Sequence, residues 1–260
     1  ICGTVNDLAM MGATNVLGLT CGVILEEGFP TESLEAIQQS MVAACREANA
    51  PVITGDTKVM GRGEIDGIVI NTTGIGLTRN LIRDNGLQAG DKIIVTGFIA
   101  EHGLAVMAKR HGIDFDGDLT SDVAPLNSLV APLMLTSAIT AMKDPTRGGV
   151  ASALHEMAAK SNVGIVLQES AIPVTPAVRA VGEMLGIDPL HVANEGKALI
   201  GVRPQDSDEV LDVLRLNPLG RNSAVIGTCV SDRPGSIILD TGFGRRLVAE
   251  PDGEPLPRIC

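Results

Sequence analysis

Short runs rich in β-branched residues recur along this chain, separated by glycine turns and by stretches whose apolar residues repeat at helical spacing. That alternation restricts the fold more than any other feature, because it demands sheets covered by helices and so an α/β architecture. The spacing predicts a helix over Asn6 to Leu19. A second follows a candidate N-cap at Thr31, with Leu34, Ile37, Met41, Val42 and Cys45 on one apolar stripe. Strands are predicted at Val52–Thr54, Gly67–Thr73, Lys92–Thr96, Val163–Leu167, Ala198–Val202 and Ala224–Thr228. Helices are predicted at Glu101–Arg110, Ala124–Met142 and Val150–Lys160. The turn-rich stretch Asp84-Asn85-Gly86-Leu87-Gln88-Ala89-Gly90-Asp91 reads as a domain boundary, dividing the chain into residues 1–88 and 89–247. Residues 248–260 form a tail with Pro251, Pro255 and Pro257, which belongs to neither helix nor central strand.

With 260 residues, 45% of them hydrophobic, the chain can support a sizeable core. Its 20 Lys+Arg against 31 Asp+Glu leave a formal net charge of −11, which argues against a duplex nucleic-acid binder that must neutralise phosphates. Aromatic residues are 2%, with no Trp or Tyr, so a base-stacking platform is also excluded. No apolar run approaches the length of a membrane span. Five cysteines without paired spacing, and no signal peptide, read as a reduced cytoplasmic chain, neither a disulfide framework nor a zinc module. The chain opens at Ile1 without Met and reads as starting partway into a domain.

No P-loop, dinucleotide fingerprint or zincin helix is present. What remains is a set of polar clusters at predicted turns. Gly55-Asp56-Thr57-Lys58 brings a carboxylate, a hydroxyl and an ammonium together, groups suited to a metal-nucleotide; taken alone it reads better as an Asp-capped turn. Asp144-Pro145-Thr146-Arg147-Gly148-Gly149, between two predicted helices, offers backbone N–H groups and a guanidinium fork to an anion, and reads also as a tight interhelical loop. Asn194-Glu195-Gly196-Lys197 sets an acid and a base at a strand start. Asn6-Asp7 fits an N-cap equally well, and His102 is either a phosphate contact or a surface residue. Jointly the clusters describe an ATP site built without a P-loop.

Val5-Asn6-Asp7-Leu8-Ala9-Met10-Met11-Gly12-Ala13, Gly55-Asp56-Thr57-Lys58-Val59, Asp144 to Gly149, Ala193 to Lys197 and the terminal Pro257-Arg258-Ile259-Cys260 together resemble the HypE family of hydrogenase maturation factors. That family lies within the aminoimidazole-ribotide-synthetase-like (PurM-like) ATP-binding superfamily. The resemblance covers essentially the whole chain. It implies a two-domain α/β (α+β) fold, an N-terminal domain that dimerises through a β-barrel-type interface, a C-terminal α/β domain and a flexible tail. It implies ATP-dependent dehydration of an S-carboxamide on Cys260 to a thiocyanate, the source of cyanide for [NiFe]-hydrogenase iron. The implied partners are a second copy, the carbamoyltransferase HypF and the HypC–HypD iron scaffold. On this reading Asp7, Asp56 and Asp144 hold Mg²⁺, and the nucleotide contacts are Asn6, Asp7, Asp56, Thr57, His102, Asp144, Thr146, Arg147, Gly148, Gly149 and Asn194. Cys260 is the covalent acceptor, Lys58 stabilises developing charge and Glu195 is the base. The two rival readings are a related small-molecule kinase or selenophosphate-synthetase-like enzyme, and a non-catalytic carrier.

Overall fold

The computed structural model describes residues 1–110, 112 and 119–250. Two sheets organise these residues. The smaller has three strands in the order β2-β1-β3, formed by β1 (Asn15–Glu26), β2 (Val52–Met60) and β3 (Ile68–Leu77). β1 pairs parallel with β2 and antiparallel with β3. Helices α1 (Cys2–Met10) and α2 (Thr31–Ala48) lie on one face of this sheet. The larger sheet has seven strands in the order β10-β9-β6-β8-β4-β7-β5. These are β4 (Lys92–Val95), β5 (Ile139–Lys143), β6 (Gly164–Gln168), β7 (Leu199–Val202), β8 (Ala224–Val230), β9 (Ile237–Asp240) and β10 (Arg245–Leu247).

The large sheet is covered on both faces, and the alternation along β4 shows why. Ile93 and Val95 point into one core with Leu104 of α3 (Glu101–Arg110), Leu154 and Met157 of α5 (Gly149–Ser161), and Val178 of α6 (Pro176–Leu185). Ile94 points into a second core with Ala9 and Met10 of α1, Leu129 of the short α4 (Asn127–Val130), and Val210 and Leu214 of α7 (Ser207–Arg215). Helix α1 therefore joins the two sheets: it packs on the small one and contributes to the core of the large one.

Four expectations change at this level. The helix expected over Asn6 to Leu19 ends at Met10, because Gly12 turns the chain at φ +82 and Asn15–Glu26 is claimed by pairing with two strands. The long helix expected over Ala124 to Met142 is instead α4, a 3₁₀ turn over Ala131–Leu135 and strand β5; Pro132 and the Thr136-Ser137 pair interrupt the helical pattern. The cap of α2 is Pro30 rather than Thr31, with no side-chain bond to the helix. Gly55 to Lys58 lie inside β2, not in a turn after it; a side chain at Gly55 would collide with the Cys21 carbonyl of β1, so the close strand pairing itself requires glycine there. Among the described residues the three-stranded sheet is open, and no helix is long and apolar enough to cross a membrane.

Candidate active site

Three loops meet where α1 reaches the edge of the large sheet. The first is Asp144 to Gly149, which lies between β5 and α5, not between two helices as the pattern suggested. Gly148 and Gly149 take φ +73 and +64, and a side chain at Gly149 would meet the Leu190 carbonyl at 2.7 Å. Glycine is needed so that the loop can turn tightly into the α5 N-terminus, where the Gly149 N–H donates to Thr146 O at 3.0 Å and closes the turn. The second loop is Ala193 to Lys197, leading into β7, and the third is the strap over residues 119–126.

Two buried asparagines tie these loops. Asn194 donates to Pro145 O (3.0 Å) and Val192 O (3.1 Å) and accepts from the Ala100 N–H (2.8 Å), supporting Ala100 at φ +71. Asn6 donates to Ala124 O (3.1 Å) and Glu195 O (3.0 Å) and accepts from the Leu126 N–H (2.7 Å). Both amides bond protein at each end and so tie together the loops that carry the candidate residues.

The carboxylates converge. Burial raises the Glu195 carboxyl to about 7, and the neighbouring charges of Asp122, Asp144 and Asp7 push in the same direction. Asp144 is raised by burial and then by Asp7, and Asp7 by burial, with Lys143 opposing both shifts. Negative groups that hold one another's protons on are a demand for a cation. Asp7 and Asp144 fit a Mg²⁺–phosphate, which ordinarily takes one or two carboxylates from the protein and oxygens from the substrate. Asp56 does not join them. It pairs with Gly22 across β1, and among the described residues no cluster of three His, Cys, Asp or Glu side chains is assembled for a metal. The expected Asp7–Asp56–Asp144 triad is thus not formed within one chain; strand β2 carries Asp56, Thr57 and Lys58 onto the exposed small sheet.

Thr146 is half-buried and Arg147 exposed at the mouth of the glycine loop. His102, at the start of α3, bonds Ser121 Oγ at 2.7 Å through Nδ1, and burial lowers its pKa, so it is neutral near pH 7. Two residues the sequence did not mark also belong here. Asp122 accepts from the Glu195 N–H at 3.0 Å and pairs with Lys197 at 3.1 Å. Lys143 faces Asp7 and Asp144 on one side and Glu156 (3.3 Å) on the other. Nothing in the local pattern around Asp122, a Thr-Ser-Asp loop, could have signalled this contact. Cys260 lies outside the described residues; Cys2, Cys21, Cys45 and Cys229 are all free thiols.

Residues 1–78 match the N-terminal domain, and residues 88–240 the C-terminal domain, of the AIR synthase related protein family. The chain is 48% identical over 263 residues to the carbamoyl dehydratase HypE of Rhizobium leguminosarum bv. viciae, covering 99% of this chain and 75% of that protein. A solved structure of HypE in complex with ATP superposes with a TM-score of 0.94 at 40% identity, covering 98% of this chain and 79% of that one. HypE from a HypE–HypF complex superposes at 0.93 with 41% identity, covering 96% and 83%. The chain belongs to the HypE family of hydrogenase-maturation carbamoyl dehydratases, within the AIR synthase related proteins.

Proposed function

We propose that this chain dehydrates an S-carboxamide on its own Cys260 to a thiocyanate at the expense of ATP, supplying cyanide for hydrogenase iron. The observation that carries the reading is the Glu195 carboxyl, held half-buried at a pKa of about 7 beside Asp7, Asp144 and a glycine loop at a helix N-terminus. Such a group is poised to accept a proton near neutral pH beside an anion site.

The chemistry needs those parts. An amide oxygen is a poor leaving group, so the carboxamide oxygen attacks the γ-phosphorus of ATP and ADP departs. The resulting imidate phosphate then loses its remaining N–H proton and the C–O bond, releasing phosphate and leaving S–C≡N. Glu195 takes the amide protons. The glycine-loop N–H groups, Thr146, Arg147, Gly148 and Gly149 hold phosphate oxygens, and His102 lines their approach. Mg²⁺ on Asp7 and Asp144 would offset phosphate charge.

Lys58, Asp56 and Thr57 enter through a second copy of the chain. Every residue of β2 from Val52 to Val59 is exposed, and the uncovered sheet carries Ile53 and Ile75 at 64% and 60% exposure. A homodimer through residues 1–88 covers that surface and brings the β2 cluster to a site, where Lys58 stabilises charge on the transferring group. Residues 89–247 form the second domain and 248–260 the delivering tail. Thirteen residues (248–260) reach about 45 Å when extended, a length that serves delivery of Cys260 to a site on this chain or to a partner. The S–CN bond then breaks as the cyano group goes to iron on the HypC–HypD scaffold, and the sulfur stays with Cys260.

Intact-mass analysis after incubation with HypF, carbamoyl phosphate and MgATP tests the reading. The expected result is a carboxamide adduct on Cys260 followed by loss of one water. Cys260→Ala takes no adduct, and Lys58→Ala and Glu195→Ala take the adduct but retain the water. An adduct on Cys260→Ala, or no ATP-dependent loss of water in the parent, overturns it.

A further inference from the structure

We propose that Asp122 and Lys197 form a buried latch that fixes the Glu195 peptide, making Asp122 a positioning residue for the dehydration. The inference rests on the reading of Glu195 as the group that takes the amide protons.

The Glu195 backbone is gripped on both sides. Its N–H donates to Asp122 Oδ1 at 3.0 Å, and its carbonyl accepts from Asn6 Nδ2 at 3.0 Å. The other Asp122 oxygen, Oδ2, faces Lys197 Nζ at 3.1 Å, two residues beyond Glu195. The Asp122 side chain is 1% exposed and that of Lys197 11%, so the pair is out of water. Lys197 Nζ also approaches Glu101 at 4.0 Å, which ties the latch to the start of α3. Between the two anchors, Gly196 lies so close under the strap that any side chain there would collide with the Asp122 carbonyl. The strap is itself pinned by Asn6 at Ala124 and Leu126 and by His102 at Ser121. Loop and strap therefore have one register relative to each other.

A buried ion pair is a poor source of stability, because desolvation of both charges consumes most of the attraction, and an apolar pair of similar size does as well. What this pair supplies is direction. One oxygen of the carboxylate accepts from the peptide that carries Glu195, and the other forms an ion pair with the ammonium that closes the same loop, so the χ1 origin of Glu195 is set by a charge-assisted bond. Misplacement of a reacting group by about 1 Å can cost 100-fold in rate.

Full-length protein, carbamoylated on Cys260 by HypF, is followed through a single turnover with MgATP, with thermal melting in parallel. Three variants are compared with the parent: Asp122→Asn/Lys197→Met, Asp122→Ala/Lys197→Met and Glu195→Gln. Neither double variant leaves Asp122 or Lys197 as an orphaned buried charge, both lose the Lys197 charge beside Glu101 equally, and only the Asn variant can still accept the Glu195 N–H. The Asn/Met protein is expected to stay within about threefold of the parent rate. The Ala/Met protein is expected to lose about 100-fold in the single-turnover rate constant at saturating MgATP, with the half-saturating ATP concentration unchanged. If the Ala/Met protein does not fold, Asp122→Ser/Lys197→Met, too short for the same bond, takes its place with the same expectation. Equal rates for the two double variants, with Glu195→Gln inactive, overturn the latch alone. Parent-like turnover by Glu195→Gln overturns the reading beneath it.

Discussion

The two sheets of this molecule handle the same kind of apolar strand in opposite ways. In the seven-stranded sheet, β7 (Leu199–Val202) is buried at every position and two cores flank the strands. In the three-stranded sheet, β2 is exposed almost throughout, and the associated core is only Val5, Val16, Leu19, Ala48 and Ala50. The stripe of α2 that looks like a core face in sequence, Leu34, Ile37, Met41, Val42 and Cys45, lines an open groove of about 860 Å³ against β1 and β2. The functional residues follow the same division. Asn194 and Glu195 on the large sheet's loops are held by several hydrogen bonds, whereas the Lys58 side chain on the small sheet makes no hydrogen bond or ion pair among the described residues. Among the described residues the large sheet thus pre-organises the loops it carries, and the small sheet leaves its polar residues exposed.

The comparison can be tested by equivalent damage to each sheet. Ile165 of β6 is fully buried, so Ile165→Ala should lower stability by about 3–4 kcal/mol, read from urea midpoints. Ile75→Ala on β3, measured where the chain is dilute enough to be monomeric, should cost under about 0.5 kcal/mol. Similar losses at the two positions would break the distinction.

A somewhat smaller effect is expected for Ile75→Asp, this time in association. If a second copy covers this face as proposed, a carboxylate at Ile75 on its edge strand should raise the dimer Kd by about 100-fold, near 2.7 kcal/mol, in sedimentation equilibrium. Unchanged association would show that this face is not the contact.

The smallest effect belongs to Glu195. Its carboxyl titrates ordinarily at 4.5 and in the fold at about 7. Between those values the unfolded chain has released a proton that the folded chain keeps, so stability falls as pH rises through this window. Glu195→Gln should therefore be more stable than the parent at pH 8 without MgATP, by about 1–2 kcal/mol after screening by partial exposure, and equal to it near pH 4. A variant less stable than the parent at pH 8 would show that the site is not strained by its charges.

The sequence by itself determined the class of fold, because β-branched runs and helical stripes are local patterns that the backbone reads within a few residues. It determined Glu101–Arg110 as a helix to the residue, and Lys92, Ala198 and Ala224 as strand starts within one position. It also marked Glu195 and the Asp144–Gly149 loop, since turns need glycine and anions need N–H groups whatever surrounds them. Only the tertiary structure decided the rest. Asn15–Glu26 became a strand because β2 and β3 offered it partners, and Ile139–Lys143 because β7 did. That Asn6 and Asn194 tie loops together was also a tertiary decision, because an amide's partners depend on which carbonyls the fold brings near it. Asp122 could not be found in a line of text at all. Its bond to Glu195 joins residues 73 positions apart, and a contact of that kind exists only once the chain has folded.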